Sequence, residues 1–271
     1  MQKDIRSLIE KLKIKPGKSL GQNFMVDENF LNFIIREASP KKNETVVEIG
    51  PGFGALTFKL LERVNKLISI EMDLKLFSYL RENISNPKLI LLHSDAMKVN
   101  FRELIPNCDF RIISNMPYSI STPFILKLIQ ENTLPYSMYL VLQEEVSDRF
   151  FSCPKSKNYG ASSVLIQSFF SGKKIRKIPG EVFFPRPEVS SAFTYFSRKE
   201  WLSDINVSHY FAIVKAAFSM RRKTLFNNWS KIFPQQKISY IFEKFKLKKN
   251  IRAEELSPDN YLEIAKIAEK L

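Results

Sequence analysis

Cysteine and histidine are nearly absent: the 271 residues hold two of each, Cys108, Cys153, His93 and His209. No CxxC spacing joins the cysteines and no histidine-rich company surrounds them, so metal-centre and disulfide-scaffold readings fall away. No stretch reaches the ~18 uncharged apolar residues that a membrane span needs. The start, MQKDIRSLIEKLKIK, lacks the apolar core of a signal peptide. A cytoplasmic protein is the expectation. Acidic residues are also scarce, 28 Asp and Glu against 42 Lys and Arg, for a net charge of +14. Such a surplus favours a polyanionic partner. Residues 201–271 carry 13 basic and 7 acidic side chains, so +6 of the charge lies there and the rest in the first 200 residues. Both parts can therefore touch a phosphate backbone.

With 44% hydrophobic residues, the chain can fill a core of one large domain or of a medium domain with an appendage. Residues 1–23 read as a basic arm in which Pro16, Gly17 and Gly21 argue against regular structure. A helix follows from Asp27 as its cap, with Phe30, Leu31, Ile34 and Ile35 on one face. From residue 44 the pattern alternates. ETVVEIG, KLISIE, KLILLHS, FRIIS and SMYLVLQ read as strands; ALTFKLLERVN, LKLFSYLREN and, after Pro123, FILKLIQEN read as helices. Short continuous apolar strands between amphipathic helices predict a parallel sheet covered on both faces. SSVLIQSFF is open between helix and strand, and VSSAFTYF is a later strand. Beyond about residue 200 only helical patterns remain, the last starting at Pro258 with Ser257 as cap. The expected organisation is a sheet-based domain over 1–199 and a small helical domain over 200–271.

In an open parallel sheet, ligands bind beyond the carboxyl ends of the strands, which singles out Gly50, Glu71, Asp95 and Asn115. Gly50, Gly52 and Gly54 in VEIGPGFGALT let the backbone approach a ligand and turn into a helix. The spacing is not that of a dinucleotide fingerprint, since the third glycine comes one residue early and Pro51 sits in the turn. That favours a nucleoside-type cofactor without a pyrophosphate. Glu71, 21 residues after Gly50, stands where a carboxylate accepts from both ribose hydroxyls. Asp95 stands where one can accept from an adenine amino group; a helix-cap aspartate is the alternative.

The segment SNMPYSIS leaves its strand through a carboxamide, a proline and an aromatic. An adenine amine is a poor nucleophile, because its lone pair is delocalised into the ring. A neutral Asn115 oxygen can accept one amine hydrogen and a backbone carbonyl the other. Pro117 pushes the residue before it to extended angles, which can project the Met116 carbonyl into the cleft. Tyr118 offers a ring face to an extruded base. The plainer reading is that Asn115 turns the chain and Tyr118 packs.

SLGQNFM, VEIGPGFGALT, IEMD, SDAM, SNMPYSIST, LQEEV, FFPRPEVSSAF, SMRRKTL and RAEELSPDNY occur in that order. Together they resemble the KsgA-type ribosomal RNA adenine dimethyltransferases, from about residue 15 onward. The resemblance implies a Rossmann-like methyltransferase sheet with a helical C-terminal domain, S-adenosyl-methionine as methyl donor, and two adjacent adenines near the 3′ end of small-subunit (16S) ribosomal RNA as target. It places donor contacts on Asn23, Met25, Gly50, Glu71, Asp95 and Asn115, and a lid role on the arm. It assigns Asn115, Pro117 and Tyr118 to the reacting amine and base, and a second stacking aromatic to Phe183, with Phe184 as the alternative. Two positions depart from the pattern: Met116 where Leu is usual and Ser119 where Asn is common. The first is mild, because Met fills a Leu-like volume; the second bears on how the loop after Tyr118 is tied down. The expected partner is the immature small ribosomal subunit, met by a monomer. Arg221, Arg222 and Lys223, and Lys173, Lys174, Arg176 and Lys177, are candidates for phosphate contacts. Two further readings stay open: a methyltransferase acting on an adenine of large-subunit RNA or DNA, and a non-catalytic assembly factor.

Overall fold

The computed structural model describes residues 5–12, 23–106, 109–200 and 205–271. Pro16, Gly17, Gly21 and Cys108 lie outside the described residues. The apolar runs become strands β2 (Thr45–Ile49), β3 (Lys66–Glu71), β4 (Leu89–His93), β5 (Arg111–Asn115) and β6 (Ser137–Gln143). Their Val, Ile and Leu side chains are buried almost throughout β2, β3 and β5, as strands covered on both faces require. Two later strands, β7 (Phe170–Ile178) and β9 (Ser191–Arg198), complete a seven-stranded sheet of order β4-β3-β2-β5-β6-β9-β7. Pairing is parallel from β4 to β6, with Glu71 opposite His93 and Asn115 opposite Val141. It is antiparallel between β6 and β9, where Gln143 faces Ser191. The order reverses direction at β2 and β5, whose carboxyl ends therefore flank an open crevice.

Helices α2 (Glu28–Ala38) and α4 (Leu74–Asn83) start where the sequence places them. Asp27 accepts from the Phe30 amide at 2.7 Å, and Asp73 caps the second through Lys75 and Leu76. α3 (Ala55–Leu61) stops short of its amphipathic run.

Three segments differ from the sequence reading. The arm reads as irregular, yet Ile5–Lys11 forms helix α1. Its breakers come later in the chain, and Ile5, Leu8, Ile9 and Leu12 make an apolar stripe that packs with Phe24, Phe53 and Leu76. α6 (Ser121–Gln130) begins before Pro123, not after it. Proline in a first turn breaks no hydrogen bond, because those amides have no intrahelical partner. SSVLIQSFF resolves into helix α8 (Ala161–Phe169), which runs into the edge strand β7. The Lys and Arg of GKKIRK thus sit on a sheet edge, where charge also discourages pairing with another chain.

The chain divides into two compact units, residues 1–124, 133–147 and 173–197 in the first and 125–132, 148–172 and 198–271 in the second. The second is assembled from three stretches of chain. Its core gathers α8 with α9 (Val207–Ala217), α10 (Leu225–Trp229) and α12 (Pro258–Lys270) around Tyr210, Trp229 and Tyr261. These large side chains are fully buried and satisfied: Trp229 Nε1 donates to the Ile213 carbonyl at 3.1 Å and Tyr261 Oη to that of Ala253 at 2.9 Å. Among the described residues no helix is long and apolar enough to cross a membrane.

Candidate active site

The crevice at the carboxyl ends of β2, β3, β4 and β5 opens into a cleft of about 1070 Å³, counted out to its mouth. Its floor is the glycine turn after β2. Gly50 has φ of +67°, and a Cβ there would stand 2.9 Å from the Pro117 ring. Gly52, with φ of +60°, approaches the Phe24 ring as closely. Both positions thus demand glycine twice over, for backbone angle and for space. The absence of a side chain at these two positions lets the turn, the arm and the loop after β5 pack against one another.

Four carboxylates line the cleft, Glu48, Glu71, Asp73 and Asp95, and among the described residues no Lys or Arg does. Glu71, 5% exposed, accepts from the Gly52 amide at 3.1 Å and the Asp73 amide at 2.9 Å, one on each oxygen. Burial pushes its carboxyl up, against the pull of those amides. Each oxygen keeps a second lone pair for a ligand hydroxyl. Asp95 spends Oδ1 on the Met97 amide at 2.9 Å; Oδ2 takes no hydrogen bond among the described residues. Glu48 lies deepest, 1% exposed, with Oε2 accepting from Thr57 at 2.7 Å and Ser69 at 2.9 Å. Burial raises its carboxyl to about 7, and the nearby Glu71 charge adds to the shift.

At the end of β5, Asn115 Nδ2 donates to the backbone carbonyl of Asn23 at 2.9 Å. A carbonyl can only accept, so the arm fixes which way the carboxamide points and leaves Oδ1 without a partner among the described residues. Met116 is 1% exposed and its amide donates to the Val141 carbonyl at 3.2 Å, so the Met-for-Leu departure sits in a packed position. Pro117 O accepts from the Ile120 amide and from Ser121 Oγ, which closes the loop into a turn before α6. Tyr118 is half-buried, and its hydroxyl bonds to Ser191 Oγ at the start of β9. Ser119 is exposed and lines the cleft.

Asn23, Met25, Gly50, Glu71, Asp95, Asn115, Pro117 and Tyr118 all line this one cleft. Phe183 does not. It pairs with Met25 across a two-stranded ribbon, β1 (Phe24–Met25) with β8 (Phe183–Phe184), and its ring is 3% exposed in the main core. Phe184 is half-buried, packed against the cluster of Leu8, Ile9, Phe24, Phe53 and Leu76. Sequence reasoning passed over Glu48, which the apolar run TVVEI conceals although a charged residue inside a buried strand is itself a signal. It also passed over Ser191, which no local pattern separates from a strand residue. The ribbon that pins the arm beside the cleft joins segments about 160 residues apart, and each of its strands is too short to show a period.

The reversed strand order, the glycine turn after the first strand of the sheet and the acidic residues ending the next two define a Rossmann-like S-adenosyl-methionine-dependent methyltransferase. Residues 14–270 match the model of the ribosomal RNA adenine dimethylase family, and the chain belongs to it. Similar relatives include a ribosomal RNA small subunit methyltransferase A of Natranaerobius thermophilus, 35% identical over 98% of this chain and 95% of that one. Another of that name, from Clostridium botulinum, is 36% identical over 94% and 95%. Among solved structures, a dimethyladenosine transferase from Plasmodium falciparum aligns with a TM-score of 0.79 at 25% identity, over 91% of this chain and 98% of that one. The 23S rRNA methyltransferase ErmE shares the fold, with a TM-score of 0.67 at 21% identity over 91% and 100%.

Proposed function

We propose that the protein binds S-adenosyl-methionine in the acidic cleft and methylates the exocyclic amines of two adjacent adenines near the 3′ end of small-subunit ribosomal RNA. The observation that carries the donor is charge. A chain of net charge +14 holds a cleft lined by four carboxylates and, among its described residues, no basic side chain. Such a lining suits a ligand bearing a sulfonium and an ammonium, and repels a pyrophosphate. When bound, the donor supplies an electrophilic methyl carbon: the amine nitrogen forms the new N–C bond, sulfur keeps the electron pair of the broken one, and the amine releases a proton.

The protein's part is positioning and charge placement. Glu71 holds ribose hydroxyls and Asp95 the adenine amine of the donor. Gly50, Asn23 and Met25 shape the floor and the arm side of the cleft. Asn115 Oδ1 accepts one hydrogen of the target amine and the Met116 carbonyl the other, which draws the lone pair out of conjugation. No strong general base is required, since an alkylated amine loses its proton readily. Tyr118 stacks on the extruded base, a contact worth roughly 1–3 kcal/mol; with Phe183 packed in the core, the second ring falls to the half-buried Phe184.

The choice of the small subunit rests on the two relatives that bear that name at 35% and 36% identity across nearly the whole chain. A basic platform in the second unit fits an RNA backbone. Arg221 Nη2 donates to the Lys157 carbonyl at 2.9 Å, the Lys155 amide to that of Glu254 at 2.8 Å, and the Leu225 amide to that of Ile251 at 2.8 Å. Three loops are thereby sewn side by side, and Lys155, Lys157, Arg221, Arg222, Lys223, Lys248, Lys249 and Arg252 are all exposed on them. GKKIRK is less available: Lys174 and Lys177 pair with Glu144, and Arg176 lies over the Phe33 ring. We take the protein to act in the cytoplasm, as a monomer, on immature small subunits during ribosome biogenesis. The test is transfer of labelled methyl groups to small subunits from a deletion strain, with primer extension locating them. Two adjacent adenines near the 3′ end are expected. Label on large-subunit RNA or DNA would reassign the substrate, and subunit binding without label would make the protein an assembly factor.

A further inference from the structure

We propose that Ser191 is a positioning residue of the base-stacking site: its hydroxyl, projecting from the sheet, holds the phenol of Tyr118 so that the ring is set before a base arrives. This rests on the reading of Tyr118 as a stacking platform. The contact joins Tyr118 Oη to Ser191 Oγ, side chains separated by 73 residues. Its two ends differ in how they are anchored. Tyr118 sits in a half-buried turn, held through backbone groups at Pro117 O. Among the described residues the Ser191 hydroxyl is the one hydrogen-bond partner of the Tyr118 side chain. Ser191 is fully buried, opposite Gln143 in the β6–β9 ladder, and the preceding carbonyl of Ser190 accepts from the Glu144 amide at 2.8 Å. The rigid end is the serine.

A ring tied at its Cβ and at its hydroxyl keeps its long axis in one place and turns only about that axis, so less side-chain freedom is lost when a base stacks on it. Burial also raises the Tyr118 phenol above its ordinary value, so the bond remains one between two neutral hydroxyls at physiological pH. Tyr118 carries the base, and Ser191 acts through it.

The experiment compares Ser191→Ala, Tyr118→Phe and the double variant in single-turnover methyl transfer to small subunits from a deletion strain, with calorimetric binding of S-adenosyl-methionine as the second readout. Each single change is expected to slow transfer roughly tenfold, the scale of coupling between directly bonded side chains. The double variant should be no slower than either, Ser191→Thr should restore the rate, and donor affinity should stay constant throughout. A double variant slowed by the product of the two single effects, or Ser191→Ala transferring at the normal rate, would overturn the assignment. If Ser191→Ala does not fold, Tyr118→Phe reads the same contact, and a normal rate in it overturns the assignment equally. Absence of transfer by the unaltered protein would instead sink the functional reading, and this one with it.

Discussion

Asn115 is a strand-end carboxamide with its nitrogen committed to the Asn23 carbonyl and its oxygen without a partner among the described residues. Asn115→Ala is expected to cut methyl transfer by about 100-fold or more, the usual loss when one preorganised charge-stabilising group is removed. Label transfer at the unaltered protein's rate would refute the role. Glu48 makes a separate prediction about pH. Its carboxyl is raised from 4.5 to about 7, so the folded chain holds a proton that the unfolded chain releases. The stability this contributes is complete below the unfolded value and is lost as the pH climbs toward about 7. Glu48→Gln keeps an acceptor for Thr57 and Ser69 but cannot titrate. The melting temperature of the unaltered protein should fall more steeply than that of the variant between about pH 5 and pH 8; parallel curves would show that Glu48 does not titrate there. Phe183 needs a change that separates packing from stacking. Truncation to Ala at so buried a site would cost about 3–5 kcal/mol and confuse the two. Phe183→Leu retains most of the apolar volume without a ring, and is expected to transfer at the normal rate with a modestly lower melting temperature. A slowed rate at an unchanged melting temperature would give the stacking role to Phe183.

At the scale of elements, the glycine turn after β2 and the cap of α12 each rest on one atom group. Gly50→Ala would meet both a positive φ and the Pro117 ring, at a backbone cost of about 1–2 kcal/mol before any displacement of the loop. Calorimetry should show weakened donor binding alongside a lower melting temperature; unchanged affinity would mean that the turn and the Asn115 loop are not coupled. Ser257 Oγ accepts from the Asn260 amide at 3.1 Å as the cap of α12, whose Tyr261 and Ile264 enter the second unit's core. Ser257→Ala should destabilise the chain by about 1 kcal/mol in thermal denaturation. Elements with strong periods are legible: β3, α4 and β6 match their predicted spans residue for residue. α1 escapes a reading that extends the downstream breakers' influence over the whole arm. β7 escapes because a basic edge strand has no apolar alternation to display.

Over the whole molecule, two local charge concentrations stand out: four carboxylates line the cleft, and eight exposed basic side chains lie on the loops around Lys157, Arg221 and Ile251. Subunit binding should therefore weaken steeply with salt, and reversing Arg222 to Glu should flatten that slope by about one unit for each phosphate no longer neutralised. A slope unaffected by the change would remove this surface from the interface.

The amino-acid sequence by itself determined the parallel sheet, the four strand-end residues and the methyltransferase family. Strand periodicity and spacing are local, and a parallel sheet converts them directly into a shared edge. Only the tertiary structure decided which atom of Asn115 the Asn23 carbonyl engages, that Glu48 lines the cleft, that Ser191 bonds to Tyr118 and that Phe183 is packed in the core. Each of these depends on a contact between residues far apart in the chain, and on burial, which no local pattern carries.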